Sequence, residues 1–338
     1  MSNNIKIIEL LKLQKQKYIN TREKYIENGN KKEAQKYVFK ARSMQKGIDA
    51  IVNYGKKLKF GSDIADVKGV GKGIIERIDE IIKTGTLKEI EKNMPELHKY
   101  GNKNRIIDLL CSITGVGQKR AKEWFELGIK TISDVRNAVR DGKIKITHHI
   151  EIGLKYYEDF NKKIKRKTIT KINKLFSKLL KEVNPDLIHE ICGSYRRGLP
   201  ESGDIDIIIT NTNVKGEIKK YKFLTSIVKK CIETGFIIDN LTNLGEKKYM
   251  GVCKIAKQSM RIDIRCFNSR EYGTAILYFT GSRDFNIYMR NEAIKLGYRL
   301  NEYCMIEKSS KKKIYFKTEN DIFKKLSILY VKPIDRNI

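Results

Sequence analysis

Residues 204–210 read DIDIIIT, and this run restricts the possible folds more than any other stretch of the chain. It is rich in β-branched isoleucine and follows a segment of Gly, Pro and Ser, which is typical of a β-strand after a turn. Side chains alternate between the faces of a strand, so Asp204 and Asp206 should share one side while the isoleucines face a core. Two adjacent carboxylates repel each other unless a cation separates them, and Mg²⁺ suits such oxygen ligands. An edge strand with two solvated aspartates would carry the same short pattern.

A second strand pattern, MRIDIRCF at 260–267, contains a third acid. Alternation places Arg261, Asp263 and Arg265 on one face of this strand. Asp263 could simply be salt-bridged there, or it could join the first two aspartates at a metal site and help to deprotonate an attacking hydroxyl. Two metal ions held in this way stabilise the attacking and leaving oxygens of an in-line displacement. Taken together, the three aspartates indicate nucleotidyl transfer.

The segment before the first strand, GSYRRGLPESG at 193–203, suits a triphosphate. Gly193 and Ser194 can offer a backbone amide and a hydroxyl, and Arg197 offers a guanidinium fork that matches phosphate oxygens. A β-turn followed by solvated arginines would also explain this segment taken alone.

Two Gly-Val-Gly segments, at 69–71 and 115–117, each precede an amphipathic helical pattern. We interpret them as a repeated helix-hairpin-helix motif in which Gly69, Gly71, Gly115 and Gly117, with Lys72, bring backbone N–H groups to DNA phosphates. Such contacts position DNA without reading its sequence. The chain carries 70 Lys and Arg against 40 Asp and Glu, a formal charge of +30, which favours a polyanionic partner over a ligand-free pair of turns.

The pattern of the chain changes near residue 150, from helical periodicity to short β-rich runs separated by helices. A last helix is expected within DIFKKLSILY at 321–330. No apolar run approaches the roughly 20 residues that span a bilayer, and no signal-peptide pattern is present. The cysteines and histidines lack zinc-site spacing. We therefore expect an intracellular protein without a structural zinc.

The run GSYRRGLPESGDIDIIIT, followed by MRIDIR and YFTGSRDFNIYMR, resembles the family X DNA polymerases, in particular the beta type, over nearly the whole chain. The resemblance implies an α+β, multi-domain fold. It comprises an all-helical, lyase-like domain (1–90) that binds the 5′-phosphate of a gap, a helix-hairpin-helix DNA-binding subdomain (91–155), a catalytic palm with a mixed β-sheet (156–267) and a nucleotide-selecting α/β subdomain (268–338).

The activity implied by the resemblance is template-directed filling of short gaps, of the base-excision-repair type. A dNTP would be transferred to a primer 3′-OH with release of pyrophosphate. Two Mg²⁺ ions, or Mn²⁺ in their place, would be the cofactors, with a monovalent cation at the hairpins. Gapped or nicked double-stranded DNA and dNTP would be the partners of a monomeric enzyme. It would act in the nucleus, or in the cytoplasm if the chain is viral.

The resemblance also assigns residues. Asp204, Asp206 and Asp263 match the metal-binding catalytic aspartates, Arg261 the arginine at the primer-end phosphate, and Arg290 an arginine that touches the template. The positions implied to bind the nucleotide or the 5′-phosphate are Gly193, Ser194, Arg197, Ser202 and Gly203 for the β- and γ-phosphates, Tyr278, Phe279 and Gly281 under the sugar, Asn286 at the base edge and Lys40 at the 5′-phosphate.

Two positions depart from the family pattern. Arg77 stands where the beta enzyme has the lysine that forms a Schiff base with an abasic sugar, and a protonated guanidinium cannot do so. We expect weak or absent lyase activity, unless Lys68 or Lys72 substitutes. Arg283 replaces an acidic residue beside the incoming base, where a cation could stack on the base or strengthen triphosphate binding. We expect Arg283→Ala to weaken nucleotide affinity, and an unchanged KM would count against this role.

Two other functions fit parts of the sequence. A template-independent terminal nucleotidyltransferase would use the same aspartates, and a non-catalytic DNA-end-binding protein would use only the hairpins and the charge. Metal-dependent primer extension distinguishes all three.

Overall fold

The computed structural model describes residues 4–67, 69–91, 94–213, 218 and 222–337, with side chains described outside 91–102. Lys68 therefore lies outside the described residues. The chain forms two compact units, Met1–Leu110 with Gln118–Asp134, and Cys111–Gly117 with Val135–Ile338. No helix among the described residues combines the length and apolarity needed to cross a bilayer.

The first unit is helical, as the spacing of its apolar residues predicts. Ile7, Leu11, Met44, Ile48 and Ile51 recur at helical intervals and are buried in one core. The helices that begin in this unit are α1 (Ile5–Glu27), α2 (Lys31–Tyr54), α3 (Lys72–Thr84), α4 (Lys88–Glu91), α5 (Met94–Cys111), α6 (Gln118–Glu126) and α7 (Ile132–Arg140), with a 3₁₀ turn at Gly61–Ile64.

The second unit is mixed α/β, so the described chain as a whole is α+β as predicted. Its helices are α8 (His148–Lys155), α9 (Tyr157–Phe160), α10 (Arg166–Val183), α11 (Gly193–Arg196), α12 (Phe223–Glu233), α13 (Tyr272–Thr280), α14 (Arg283–Lys295) and α15 (Glu319–Lys325), with 3₁₀ turns at Ser269–Glu271 and Pro333–Asp335. Its strands are β1 (Ile164–Lys165), β2 (Leu187–Ile191), β3 (Glu201–Ser202), β4 (Ile205–Asn211), β5 (Ile237–Asn240), β6 (Lys248–Ile255), β7 (Gln258–Cys266), β8 (Tyr298–Leu300), β9 (Met305–Glu307) and β10 (Lys313–Ile314).

The central sheet has the strand order β2-β4-β7-β6-β5. Strands β4 and β7 are parallel, whereas the other neighbours in this sheet are antiparallel. Strands β1 and β3 form a separate pair, and β10-β9-β8 form a third sheet. The crossover from β4 to β7 brings the two aspartate-bearing strands side by side.

Strand β4 pairs with β2 on one side and with β7 on the other, so it is not an edge strand, and both of its faces are buried. Ile207 and Ile209 lie in the main core, where Phe176 of α10 and Ile227 of α12 are also buried. Ile208 packs on the other face, in a cluster that the residues Cys192, Phe267, Ala275 and Ile276 complete. Sheet interiors exclude charge unless it is paired or functional, so a carboxylate in this strand requires an explanation.

The predicted last helix is present and occupies only the first half of its segment. Helix α15 ends at Lys325, and Ser327 has a φ of +54°. The N–H of Ile328 bonds back to the carbonyl of Phe323, which closes the helix end. A left-handed residue satisfies the last carbonyls of a helix but stops its propagation, so the apolar periodicity of residues 326–330 does not continue the helix.

Candidate active site

The parallel pairing of β4 with β7 places Asp206 directly beside Asp263. Asp204 lies just before the first residue of β4. Its Oδ2 accepts a hydrogen bond of 2.6 Å from Nη2 of Arg261, and Asp263 Oδ2 lies 3.2 Å from Nη2 of Arg265. The three predicted aspartates are thus brought together, with an arginine on two of them.

Asp206 differs from the other two aspartates, because no arginine among the described residues forms an ion pair with it. Burial, together with the negative charges of Asp204 and Asp263, raises the pKa of Asp206 to about 7, although Arg265 and Arg261 partly oppose the shift. Desolvation and like charge both disfavour a carboxylate. A cation at this position would therefore stabilise the ionised form.

The donor chemistry fits Mg²⁺, because three carboxylates supply the hard oxygen ligands that this ion prefers. Among the described residues, no group of three or more His, Cys, Asp or Glu side chains is already arranged around a metal position. Arg261 and Arg265 each form an ion pair with one of the aspartates. Metal binding has to compete with these two ion pairs.

A turn beside Asp206 contains the predicted phosphate-binding residues. Gly193 has a φ of +58°, and a Cβ there would lie 3.0 Å from Oδ2 of Asp206, so the turn requires glycine. The Ser194 and Ser202 hydroxyls share a 2.8 Å hydrogen bond, and Gly203 follows at the end of β3. Nη1 of Arg197 donates to the carbonyl of Thr280 at 2.6 Å.

The predicted nucleotide-selecting residues cluster at the α13–α14 junction. Nδ2 of Asn286 donates to the Tyr278 carbonyl at 2.7 Å, and the Arg290 guanidinium lies 5.3 Å from the centre of the Tyr278 ring. Phe279 packs edge-on against Tyr278. A Cβ on Gly281 would lie 3.2 Å from Nη1 of Arg197, so this junction approaches the phosphate turn closely. Arg283, the first residue of α14, is exposed.

The two glycine hairpins share one backbone feature. Gly69 and Gly115 have φ values of +97° and +92°, a region that glycine adopts without strain. Helix α3 begins at Lys72 and α6 at Gln118, each one residue after the last glycine of its hairpin, Gly71 and Gly117 respectively. Each hairpin therefore leads into a helix N-terminus, whose free N–H groups favour anions.

Comparison with known proteins agrees with this arrangement. Family models match the chain as the palm of DNA polymerase beta at 163–269, the thumb of DNA polymerase beta at 275–337, the fingers domain of DNA polymerase lambda at 108–161 and a helix-hairpin-helix domain at 6–87. The chain belongs to the family X DNA polymerases.

Curated relatives of this family X chain include DNA polymerase lambda from Rattus norvegicus, 28% identical over 88% of the chain and 52% of the relative. The lambda enzyme of Arabidopsis thaliana is 28% identical over 88% of the chain and 58% of the relative. DNA nucleotidylexotransferase from Xenopus laevis is 27% identical over 79% of the chain and 57% of the relative. The chain spans just over half the length of these relatives.

The first unit of this family X chain contains a cavity of about 250 Å³, whose lining includes Arg77, Tyr18 and Lys40. Arg77 does not point freely into it, because its Nη2 lies 2.8 Å from Oε1 of Glu89 and 3.3 Å from the Tyr18 hydroxyl. Burial disfavours the Arg77 charge, but the hydrogen bonds and charge interactions with Glu89 and Tyr18 together outweigh it, so the pKa of Arg77 is raised. Sequence reasoning missed Glu89, because no local pattern links it to a residue twelve positions earlier.

The lysines near this cavity differ in position. Nζ of Lys40 lies 4.9 Å from the centre of the Tyr37 ring and borders the cavity. The Lys72 side chain is 91% exposed and lies 3.8 Å from Glu76, and it does not line the cavity. The structure therefore brings Lys40, and not Lys72, to the position of Arg77.

Proposed function

We propose that this chain extends a primer 3′-OH across short DNA gaps under the direction of a template, using dNTP and releasing pyrophosphate. The observation that carries the proposal is the pairing of Asp206 with Asp263 beside the Arg197 turn. The cluster of three carboxylates can hold the metal ions that nucleotidyl transfer requires, and the neighbouring turn can bind the triphosphate of the nucleotide. The domain boundaries at 90, 155 and 267 are part of the same proposal.

In this proposal Asp204, Asp206 and Asp263 hold the metal ions. When bound, two such ions stabilise the charge on the attacking and leaving oxygens. Asp263 helps to take the proton from the primer hydroxyl, and Arg197 binds phosphate oxygens through charge-assisted hydrogen bonds. Arg261, released from Asp204, binds the primer-end phosphate.

The first unit, in this proposal, binds the 5′-phosphate at the far side of a gap without excising a sugar. Lys40 and the hairpin N–H groups after Gly69 supply the positive field. The Arg77 guanidinium forms an ion pair with Glu89. Because a guanidinium stays protonated, it forms no Schiff base. The 5′-deoxyribose-phosphate lyase step then depends on another enzyme.

Extension across a one-nucleotide gap with a 5′-phosphate tests the proposal. Each dNTP is supplied separately with Mg²⁺, and the wild type is compared with Asp263→Ala. Insertion of the complementary nucleotide alone, lost in the variant, is the expected result. Indiscriminate addition would assign the chain to the template-independent class suggested by its resemblance to a nucleotidylexotransferase. No addition by the wild type would leave a DNA-end-binding protein.

The remaining proposals concern the setting of this activity. A monomer is expected to act on gapped or nicked DNA with Mg²⁺ or Mn²⁺. Location in the nucleus, or in the cytoplasm of a virus-infected cell, stays a prediction that microscopy of the tagged chain tests directly.

A further inference from the structure

Asn337 contacts the arginine assigned to the triphosphate, although 140 positions separate them in the chain. Oδ1 of Asn337 accepts a 2.8 Å hydrogen bond from Nε of Arg197. Nδ2 of Asn337 donates to the Arg197 carbonyl at 3.4 Å and to the Ile334 carbonyl at 3.0 Å. The Asn337 side chain, although exposed, therefore hydrogen-bonds to both the guanidinium and the backbone carbonyl of Arg197.

The contacts of Arg197 leave one nitrogen for a ligand. Nε is held by Asn337 and Nη1 by the Thr280 carbonyl at 2.6 Å, and no partner for Nη2 is found within the described part of the chain. Because a guanidinium is planar, two fixed nitrogens fix the direction of the third. Both acceptors are neutral oxygens, so the full positive charge remains available to a phosphate.

The residue before Asn337 belongs to a buried ion cluster. The adjacent Arg336 is fully buried, and its Nη1 lies 2.5 Å from Oε1 of Glu319. The other oxygen of Glu319 lies 2.7 Å from Nη2 of Arg196, the residue before Arg197. The Arg336 carbonyl accepts from the N–H of Ser282 at 3.3 Å. Arg336 thus anchors this segment against both the α13–α14 junction and the phosphate turn.

The rings of Phe285, Phe323 and Tyr330 surround the Arg336 guanidinium, with centroids 5.2, 5.5 and 5.6 Å away. Cation–π contacts of this kind stabilise a buried guanidinium whose Nη2 has no hydrogen-bond partner among the described residues. The ion pair with Glu319 and the three rings together fix the position of the Arg336 side chain, and a fixed neighbour is what an exposed side chain needs in order to orient another residue.

We propose that Asn337 is a positioning residue for nucleotide binding, which holds Arg197 in the orientation that receives the triphosphate. This inference rests on the proposed function. Asn337 acts only through Arg197, so its loss should affect the binding of the triphosphate and not the chemical step.

The test compares Asn337→Ala and Asn337→Asp with the wild type in full-length protein. Asn337→Ala should raise the KM for dNTP about tenfold, the size of one hydrogen bond to a charged group, with kcat within about twofold. Asn337→Asp keeps Arg197 oriented but partly neutralises it, so its KM should rise at least as much. Melting temperature and affinity for gapped DNA should not change. Asn161→Ala is the matched control, because Asn161 is also exposed and donates to one carbonyl.

Affinity for inorganic triphosphate, measured by calorimetry, separates this proposal from the proposed function. Tight binding by the wild type that weakens in Asn337→Ala supports the positioning role even if no primer is extended, in which case only the polymerase proposal fails. Unchanged KM and unchanged triphosphate affinity in both variants would overturn the positioning role. A fall in kcat or in melting temperature without a change in KM would also overturn it, in favour of a purely structural contact.

Discussion

The Arg77 cavity and the Asp206 site are both built from arginine and carboxylate, but their charges balance differently. At the cavity, Glu89 and Arg77 form one bidentate ion pair, with two guanidinium nitrogens donating to the carboxylate. At the palm site, Arg261 and Arg265 neutralise two aspartates, and Asp206 is left with a raised pKa. The negative charge at the cavity is therefore matched by a positive one, whereas the palm site has one carboxylate more than it has arginines.

This difference separates a structural ion pair from a reactive site. A matched pair lowers the energy of the fold and leaves no charge for a ligand. An excess carboxylate is stabilised only when something else arrives, and perturbed groups of this kind cluster at functional sites. On the proposed function, this difference places the chemistry at the three aspartates, and we expect the cavity to bind the 5′-phosphate without reacting with it.

The largest expected effect is on nucleotidyl transfer. Asp206→Asn should lower kcat by at least roughly 10³-fold, or about 4 kcal/mol in the barrier, because the amide no longer supplies an anionic ligand. Single-turnover extension of a primer–template without a downstream strand measures it. Arg77→Met should retain most activity on the same substrate, and an equal loss in both variants would contradict the assignment.

The next effect concerns lyase activity. The wild type should give only background borohydride cross-linking to an incised abasic site. Arg77→Lys alone should remain low, because Glu89 would hold the new ammonium in its charged form, whereas Arg77→Lys with Glu89→Gln should cross-link several-fold more. Efficient cross-linking by Arg77→Ala would instead identify another lysine, with Lys40→Ala as the variant that checks it.

The third prediction concerns stability. The substitution of Asp206 that lowers activity should make the fold more stable. The pKa of Asp206 is raised from 3.8 to about 7 in the folded chain, so the folded state binds the proton more tightly and the free energy of unfolding falls as pH rises from about 4 to 7. One pKa unit corresponds to about 1.4 kcal/mol. Asp206→Asn should therefore raise the melting temperature in EDTA at pH 8, by a margin that vanishes near pH 4. Mg²⁺ should stabilise the wild type only.

The smallest effect is expected at the cavity. Glu89→Gln should lower the free energy of unfolding by less than about 1 kcal/mol, because the Glu89 side chain is 44% exposed and the pair is screened by solvent and salt. Denaturant titration at low and high salt measures this, with Glu33→Gln as a control in an exposed pair. A loss of several kcal/mol would show that the pair is part of the core.

Local rules predicted much of the site. Alternation placed Arg261, Asp263 and Arg265 on one face of a strand, and the structure confirms it, since Ile262 and Ile264 are buried in the core. Gly69 and Gly115 of the predicted hairpins have a positive φ, a backbone region that glycine adopts without strain. The family resemblance supplied what alternation could not, namely that strands far apart in sequence act together.

By itself, therefore, the sequence determined the strands and helices that carry the site and the faces of their side chains, because these depend on residues within a few positions of one another. The class of chemistry needed the family resemblance, which connects motifs that lie far apart in the chain. Tertiary structure alone decided which charges meet. The parallel register joins Asp206 to Asp263, and chain folding joins Arg77 to Glu89 and Arg197 to Asn337. Electrostatic energy depends on distance in space, and no periodicity along the chain encodes that distance.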